Sequence, residues 1–468
     1  MDKASYGSGG LIAAFATPLA ESALAVIRCS GGGSIKEAAR FFSRPEKLAS
    51  AAGHSAVHGW IMSGGEKIDE VLVTVYRAPS SYTGEESLDV SCHGGIAAAR
   101  AVMKVLRKAG FREALPGEFT FRAFMSGKLD LTRAESVMEM VSAKTDAGLS
   151  GAVSRLSGAL ENEIAGIREK LVEVLAGTEI YLDYSEDEFF PEGRETSAQN
   201  PPVQEDRLPE IHLAQEVLAR LRSLSASYDR ERLYHDGVLA VIAGRPNAGK
   251  SSLFNRLIGE DRAIVADVPG TTRDWIEAWV SIDGIPVRLV DTAGLAGGSP
   301  DPVEKAGVER SRELMAEADI VLYVIDGTRG AAPDDHAFLD GGGRGIRLAV
   351  WNKADAPLCR ETPDGFFPAS AKTGTGVREL CAAAAAALEK KAGGGKEKTG
   401  PGTARQKDLI DAAAKSLEEA LKLAESGEAL DLIAPFLRES ADALGEITGD
   451  VSSADILEKM FSKFCVGK

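Results

Sequence analysis

The chain has 468 residues, too many for one hydrophobic core, so its length predicts two to four domains. Its 44% hydrophobic and 26% charged residues are ordinary for a globular protein, and its formal charge of −16 argues against broad nonspecific binding to nucleic acid. No apolar run reaches ~18–20 residues, and we expect neither a membrane span nor a secretory signal. Five scattered cysteines without metal-binding spacing favour a reducing cytoplasm.

Residues 1–125 alternate short apolar strands with turns, and Ile96–Lys108 has the spacing of an amphipathic helix, which predicts a small α+β domain. From Thr132 apolar residues recur every three or four positions. This period predicts one long helix over residues 153–181 and another over residues 213–233, within a helical region that we assign to residues 126–231. Between the two helices, the polar and proline-containing run 192–209 predicts a flexible connection.

The next stretch predicts a phosphate-binding loop. An apolar strand, residues 238–243, leads into Gly244–Ser251, which fits the pattern G-x-x-x-x-G-K-S and opens a helical apolar face. In such a loop the backbone N–H groups and the helix N-terminus attract phosphates. Lys250 can reach the β- and γ-phosphates, and the Ser251 hydroxyl can ligate Mg²⁺. A chance glycine turn is the alternative, and the elements that follow argue against it.

Three further motifs come at the ends of predicted strands. Asp291–Gly294 can hold the Mg²⁺ shell and approach a γ-phosphate. Asn352–Asp355 offers a carboxylate that can accept two hydrogen bonds from guanine, which adenine cannot supply, and Ser370–Lys372 offers a backbone amide to the guanine O6. With Thr272 and the phosphate loop, these motifs resemble the G1 to G5 elements of the Ras-like GTPases. The predicted nucleotide is therefore GTP.

We assign residues 232–390 to the GTPase domain, an α/β fold. A glycine-rich linker, residues 393–402, ends it, and residues 391–468 are again helical by pattern, which continues over residues 430–461. Since a domain can be inserted in another where its termini are close, we predict a multidomain chain in which the GTPase interrupts an all-α domain.

The hydrolytic machinery departs from the usual Ras-like pattern. In those enzymes a glutamine that follows the D-x-x-G glycine orients the attacking water, whereas this chain has Leu295 there. Glu304 is the first candidate for that role and Glu309 the second; both could instead stabilise a helix N-terminus.

The charge that stabilises the reacting phosphates also has alternative sources. Asn247 could cap the phosphate loop or ligate a monovalent cation there, and Arg273 is the rival source of positive charge. Thr272 should supply a second hydroxyl to Mg²⁺.

Motifs along nearly the whole chain resemble the bacterial tRNA-modification GTPase family MnmE, also called TrmE. Their order and the layout of the chain agree as well. The matching stretches are residues 81–86 (SYTGEE), 92–95 (CHGG), 116–132, 244–253, 270–274 (GTTRD) and 464–468 (FCVGK).

This resemblance implies a fuller function. Family members bind a tetrahydrofolate derivative, 5-formyl or 5,10-methylene, in an α+β N-terminal domain that also forms the homodimer. With the FAD-carrying flavoprotein MnmG (also called GidA), in a heterotetramer, they install a carboxymethylaminomethyl-type group at C5 of the tRNA wobble uridine. Their GTP hydrolysis depends on K⁺. The implied protein is thus a cytoplasmic, potassium-activated GTPase coupled to a one-carbon site.

Residue by residue, the resemblance assigns K⁺ ligation to Asn247 and Thr271, aided by the carbonyls of Ala266 and Val268, and Mg²⁺ ligation to Ser251 and Thr272. The implied catalytic residues are Lys250, Glu304 and Cys465. The implied folate-binding residues are Arg28, Glu85, Lys128 and Lys468. The implied GTP-binding residues are Asn247, Ala248, Gly249, Lys250, Ser251, Ser252, Ala266, Asp267, Val268, Pro269, Gly270, Thr271, Thr272, Asp291, Thr292, Ala293, Gly294, Asn352, Lys353, Asp355, Ser370, Ala371 and Lys372.

Several alternatives accompany these expectations. Each folate residue could be an ordinary surface ion pair, and Cys465 could be a tail residue without chemistry. Residues 19–24 depart from the family's glycine-rich, arginine-containing turn, which affects the folate pocket or the dimer contact. For the whole protein, the other readings are a GTP-switched RNA-binding assembly or ribosome-biogenesis factor without covalent chemistry, and a scaffold whose GTPase only drives dimer opening.

Overall fold

The computed structural model describes residues 6, 9–183, 208, 210–259, 276–292, 313–341, 344–393, 400–450 and 454–468. These residues divide into two compact units. The first comprises residues 1–138 and 445–468, and the second comprises residues 139–444. No helix in the described ranges is both long enough and apolar enough to cross a membrane. The boundaries of the four segments drawn from the sequence stay predictions.

The first unit is built on a mixed sheet. Within its described residues the sheet has six strands: β1 Ile12–Phe15, β2 Leu24–Ser30, β3 Ser55–Ser63, β4 Glu66–Tyr76, β5 Ser87–His93 and β6 Arg112–Glu113. They lie in the order β3-β4-β5-β2-β1-β6. Neighbours are antiparallel except for β1 and β6, which are parallel.

One face of this sheet forms the core of the first unit. Alternate residues of β2, such as Ile27 and Cys29, are buried there, as the period of two in a strand requires. The helix Ile96–Lys108 covers this face with Val102 and Leu106, which are also buried. Two short helices, Ser34–Ala39 and Pro45–Ala49, complete the layer. The predicted α+β class of the N-terminal region is confirmed.

An aromatic cluster joins the two chain segments of the first unit. Phe121 lies on the helix Glu118–Met125, Phe461 ends the helix Ala454–Phe461, and Phe464 follows that helix. The ring centroids of Phe121 and Phe461 lie 5.4 Å apart, and those of Phe461 and Phe464 lie 5.1 Å apart. Gly117 (φ 67°) allows this approach, because a Cβ there would lie 2.7 Å from the Phe461 carbonyl oxygen. Gly467 is equally restricted, since its Cβ would lie 2.6 Å from the Phe15 carbonyl oxygen.

The second unit contains a doubly wound sheet. The part of it that the structure describes has six strands: β7 Val238–Gly244, β8 Ile276–Ile282, β9 Ile285–Asp291, β10 Ile320–Asp326, β11 Ile346–Asn352 and β12 Phe366–Pro368. They lie in the order β12-β11-β10-β7-β9-β8. All neighbours are parallel except β8 and β9, which form an antiparallel edge.

Helices cover both faces of this sheet, which explains its continuous apolar strands. Ile242 and Leu322 pack with Leu253 and Leu380 on one face, and Val241 packs on the opposite face. The covering helices include Lys250–Gly259, Pro333–Asp340 and Val377–Lys391. The predicted α/β class of the GTPase region is confirmed.

Helices that precede the α/β region in the sequence pack against helices that follow it. The Arg222 guanidinium lies 2.8 Å from the Glu418 carboxylate, and the Ser225 hydroxyl donates to Asp411. The α/β region is therefore inserted in one helical domain, as the sequence predicts. The helices of this domain are Asp146–Leu156, Ala159–Asp183, Ile211–His235, Ala404–Glu425 and Leu430–Thr448, preceded by Leu131–Ser142, which begins in the first unit.

A buried ion cluster ties the entry and exit of the inserted region. The Arg155 side chain is only 1% exposed and lies 2.7 Å from the Glu139 carboxylate and 2.6 Å from the Glu231 carboxylate. Glu231 belongs to the helix that leads into β7. Arg155 also donates to the carbonyl of Gly400, where the chain returns from the inserted region, at 3.4 Å. Three segments distant in sequence thus share one buried cation.

One helix prediction is wrong. The single helix expected over residues 153–181 is interrupted: Asp146–Leu156 ends at Ser157, and Gly158 has φ 92°, a left-handed conformation that favours glycine. Apolar spacing persisted across this break and concealed it. The helical pattern predicted over residues 430–461 is confirmed by two helices, Leu430–Thr448 and Ala454–Phe461, and Gly449, directly after the first of them, has φ 92°.

Candidate nucleotide-binding site

The phosphate loop connects β7 to the helix Lys250–Gly259. Two of its glycines have left-handed backbones, Gly244 with φ 138° and Gly249 with φ 98°. Both also lie against neighbours: a Cβ on Gly244 would be 2.2 Å from the Val324 carbonyl oxygen, and one on Gly249 would be 2.2 Å from Asn352 Nδ2. Only glycine fits either position. The loop therefore holds the helix N-terminus, with its partial positive charge, at the carboxyl edge of the sheet.

Lys250 is buried beneath this loop. Its Nζ donates to the Gly244 carbonyl at 3.0 Å and to the Arg245 carbonyl at 3.1 Å. Burial lowers the pKa of Lys250, and the neighbouring Asp291 carboxylate opposes that shift. The ammonium group is thus held against the backbone that would surround a bound phosphate.

The carboxyl end of β9 brings an acidic residue to the same edge. In the parallel register Asp291 lies opposite Ile242 of β7, and it is fully buried. The hydroxyl of the next residue, Thr292, donates to the Ile242 carbonyl at 2.8 Å. Ala293 and Gly294, which complete the predicted motif, lie outside the described residues.

Asn352 joins the phosphate loop to the predicted base-binding loop. Its Nδ2 donates to the Ala248 carbonyl at 2.8 Å, and its Oδ1 accepts from the Ala371 N–H at 3.0 Å. Lys353 adds a second link, because its Nζ donates to the Asn247 carbonyl at 3.0 Å and to the Asp326 carboxylate at 2.6 Å. Both side chains therefore position loops of the site.

Asp355 presents the carboxylate predicted to recognise guanine. The Ser370 hydroxyl donates to its Oδ1 at 2.6 Å, and this hydrogen bond holds the pKa of Asp355 below its usual range. The side chain is exposed and stays ionised at neutral pH. A carboxylate has only acceptors, so it can take the two hydrogen bonds that the guanine N1–H and 2-amino group donate. Ser370 fixes its orientation.

Part of the predicted site falls outside the residues described here. Ser251, Ser252 and Asn247 are exposed on the phosphate loop or at the start of its helix. The predicted residues outside the described ranges are Ala266, Asp267, Val268, Pro269, Gly270, Thr271, Thr272, Arg273, Leu295, Glu304 and Glu309. The Mg²⁺ role of Thr272, the K⁺ roles of Ala266, Val268 and Thr271, and the water-positioning role of Glu304 therefore stay predictions.

In the first unit, three of the four predicted folate residues adjoin the loop over residues 79–86. Arg28 lies 3.1 Å from Asp89, with its guanidinium 5.8 Å from the Tyr82 ring centroid. Glu85 accepts from the Ser30 hydroxyl at 2.9 Å.

Lys128, the third of these residues, donates to the Pro79 carbonyl at 2.9 Å. For Lys468 the described hydrogen bond is a backbone one, to the carbonyl of Cys465. Cys465 has an exposed side chain, and its carbonyl also accepts from Gly117 N–H at 3.3 Å. The structure thus places these two residues in the segment that follows the aromatic cluster.

A buried charge network behind Glu85 was not predicted. Arg122 donates to Glu85 and to Glu118, each at 2.9 Å, and Glu118 is fully buried and also accepts from Arg112. Burial raises the pKa of Glu118, but the hydrogen bonds from Arg112, Leu115 N–H and Arg122 outweigh it, so the pKa is lowered. Arg122 and Glu118 stand four residues apart, a spacing common on any helix, so the sequence carried no distinctive signal.

Two family models match most of the chain. Residues 11–128 match the family of the GTP-binding protein TrmE N-terminus, and residues 131–465 match the MnmE helical domain family. The chain belongs to the MnmE family. The resemblance drawn from its motifs is confirmed. Among solved structures, the G domain of the T. maritima FeoB iron transporter is 25% identical and covers 33% of this chain and 98% of that one, with a TM-score of 0.24.

Curated MnmE relatives match this chain over nearly its whole length. The tRNA modification GTPase MnmE of Treponema denticola is 41% identical to this chain over 484 residues, covering 99% of each. The tRNA modification GTPase MnmE of Carboxydothermus hydrogenoformans is 39% identical and covers 98% of this chain and 99% of its own. The similarity therefore spans both units of this MnmE family member.

Two residues of the nucleotide site were missed from the sequence. Asp326, which holds Lys353, ends the apolar strand β10, and an acidic residue at the carboxyl end of a parallel strand was a visible signal. Arg256 donates to the carbonyls of Ala371 and Lys372 from the helix that follows the phosphate loop. An arginine on an amphipathic helix carries no such signal, because the pattern does not reveal what lies opposite.

Proposed function

We propose that this protein is a GTP hydrolase, activated by K⁺, that acts in the modification of the tRNA wobble uridine. The observation that carries the proposal is the linkage of Asp355, Ser370 and Asn352 to a glycine-restricted phosphate loop. That arrangement suits a guanine nucleotide, with base and phosphates bound by loops in direct contact. Membership of a family whose curated relatives are tRNA modification GTPases supports the wider role.

In the proposed mechanism the residues of the second unit bind and orient GTP. The phosphate-loop N–H groups and Lys250 hold the β- and γ-phosphate oxygens, and Asp355 selects guanine. Ser251 and Thr272 would ligate Mg²⁺, with Asp291 supporting that shell. When bound, Mg²⁺ supplies positive charge to the phosphate oxygens. The buried carboxylate of Asp291 and the glycine-restricted phosphate loop suit a bound Mg²⁺.

For hydrolysis we assign Glu304 to orient the attacking water, because Leu295 has no polar group with which to do so. Asn247 and Thr271, with the carbonyls of Ala266 and Val268, would ligate K⁺. A bound K⁺ supplies the charge that an arginine finger gives elsewhere. The exposed position of the Asn247 side chain is compatible with this role.

We further propose that Arg28, Glu85, Lys128 and Lys468 bind a tetrahydrofolate derivative, 5-formyl or 5,10-methylene. Cationic side chains suit the glutamate carboxylates of folate, and Glu85 suits the donor edge of its pterin. The proposed assembly is a cytoplasmic homodimer that joins the FAD-carrying MnmG in a heterotetramer on tRNA, and it adds a carboxymethylaminomethyl-type group at C5. Cys465 is the candidate nucleophile of the first unit.

The central test is GTP hydrolysis by the full chain in KCl and in NaCl, with and without the flavoprotein. We expect K⁺ to accelerate turnover at least tenfold over Na⁺, and Glu304→Ala to retain GDP binding while it loses most of the turnover. Glu309→Ala tests the second candidate for the same role. Equal rates in the two salts would overturn the cation assignment, and full turnover by the Glu304 variant would move the water-positioning role elsewhere.

The folate proposal has a separate test. Equilibrium binding of 5-formyltetrahydrofolate to the full chain should weaken in Lys128→Ala and Arg28→Ala, while Lys104→Ala, on the helix Ile96–Lys108, should bind as the unchanged protein does. An absence of binding by the unchanged protein would favour the alternative of a GTP-switched RNA-binding assembly factor. GTP hydrolysis would then survive as the only assigned reaction.

A further inference from the structure

Arg256 contacts two consecutive carbonyls of the predicted base-binding loop. It lies on the helix Lys250–Gly259, and its side chain is partly buried. Its Nε donates to the Ala371 carbonyl at 3.1 Å, and a terminal nitrogen donates to the Lys372 carbonyl. A guanidinium presents its donors in a fixed plane, so two such bonds fix the orientation of both peptide groups.

The opposite side of the same loop is held by other residues of the site. The Ala371 N–H donates to Asn352 Oδ1 at 3.0 Å, and the Thr373 N–H donates to the Ser370 hydroxyl at 3.0 Å. Ser370 in turn donates to Asp355. The peptide groups on either side of Lys372 therefore have defined directions, with their carbonyls towards Arg256.

Peptide geometry then determines where the Lys372 N–H points. The Ala371 carbonyl and the Lys372 N–H belong to one planar, trans peptide group, in which the two bonds point in opposite directions. Because Arg256 holds that carbonyl, the Lys372 N–H points away from the helix. No other hydrogen bond within the described residues uses this N–H. It is therefore a donor in the loop that carries Ser370, the partner of Asp355.

We propose that Arg256 is a positioning residue for guanine recognition: it holds the Ala371–Lys372 peptide so that the Lys372 N–H donates to the guanine O6. This deepens the GTP specificity proposed above and rests on it. Arg256 belongs to the same helix as Lys250, so one rigid element carries a phosphate-binding group and the support of the base-binding loop. Loss of the guanidinium should leave the phosphate contacts intact and weaken only the contact to the base.

The test measures GDP affinity of the full chain by competition with a fluorescent GDP analogue. Arg256→Ala should weaken GDP and IDP about tenfold each, because both bases carry the oxygen at C6. The diphosphate of 2-aminopurine riboside lacks that oxygen and should bind the variant and the unchanged protein with equal affinity. A merely structural role for Arg256 would weaken all three nucleotides. At saturating GTP, kcat should stay within twofold while KM rises.

Two further variants keep the outcome unambiguous. Arg256→Lys retains one donor and should recover part of the lost affinity, and Arg378→Ala, which removes an exposed arginine from the helix Val377–Lys391, should change nothing. GDP affinity of Arg256→Ala within twofold of the unchanged protein would overturn the inference, as would equal weakening of all three nucleotides. If the unchanged protein did not prefer GDP over ADP, the proposed function would fail instead.

Discussion

Replacing Arg155 with methionine should destabilise the second unit more than any surface change. The Arg155 side chain is 1% exposed, and its two carboxylate partners, Glu139 and Glu231, are 5% and 17% exposed. Burial lowers the pKa of Arg155, but the attraction of Glu139 and Glu231 outweighs it and raises the pKa. Methionine keeps the approximate length of the side chain and removes its charge and donors.

The expected cost follows from what the substitution leaves behind. Two carboxylates would remain in a poorly hydrated site without a cation, and breaking a buried pair in this way costs about 3–5 kcal/mol. At roughly 2–4 °C per kcal/mol for a domain of this size, the melting temperature should fall by about 6–20 °C. Loss of the bond to Gly400 adds to the cost, because it loosens the chain where it leaves the inserted GTPase.

The assay is urea unfolding of the full chain followed by circular dichroism, with thermal melts alongside. Arg222→Met is the matched control: its partner Glu418 and Arg222 itself are 40% and 59% exposed, so the loss should stay below about 1 kcal/mol. Adding Glu139→Gln and Glu231→Gln to Arg155→Met should recover much of the stability, because the uncompensated charges disappear. A loss below 1 kcal/mol in Arg155→Met, or no recovery in the triple variant, would refute the reasoning.

Three other predictions concern single side chains. Gly249→Ala should abolish GDP binding, because its Cβ would lie 2.2 Å from Asn352 Nδ2; affinity within threefold of the unchanged protein would contradict this fit. Asp355→Asn should shift kcat/KM from GTP towards XTP, since an amide can donate to the xanthine O2 whereas a carboxylate cannot, and an unchanged ratio would argue against its role. The hydrogen bond to Asp236 raises the pKa of His235, so the stability from this pair is present below pH about 6.5 and is lost as the pH rises through the folded pKa. In His235→Gln the free energy of unfolding should depend less steeply on pH in that range. If its slope against pH is the same as in the unchanged protein, the His235–Asp236 pair is not the cause of the pH dependence.

The parts of the site that could be predicted from the sequence are those that one strand and its next few residues define. The phosphate loop, Asp291 and the Asn352–Asp355 motif each follow a buried parallel strand, and parallel strands bring their carboxyl ends to one edge. Local pattern and topology therefore determine that these residues meet. The resemblance to a family then supplied roles that no local pattern could supply.

Contacts between distant segments could not be predicted in this way. Arg256 meets a loop more than a hundred residues later, and Arg155 meets partners in two other helices, so neither pairing leaves a trace in periodicity. The helix break at Gly158 was missed because the apolar spacing continues on both sides of that glycine. The periodicity of apolar residues shows which face of a helix is buried, but it does not reveal a single residue with a left-handed backbone conformation.

The first unit can be completed only at the end of synthesis, because it is assembled from residues 1–138 and residues 445–468. Its sheet emerges early from the ribosome, whereas Phe461 and Phe464 arrive only after roughly 300 further residues, about 15–60 s later at 5–20 residues per second. During that interval Phe121 lacks Phe461, one of the two aromatic rings that pack against it in the described residues of the finished protein; Tyr6, the other, is made before it. Part of this aromatic cluster therefore stays uncovered until the last residues of the chain are made, and the inserted α/β region is synthesised before that point.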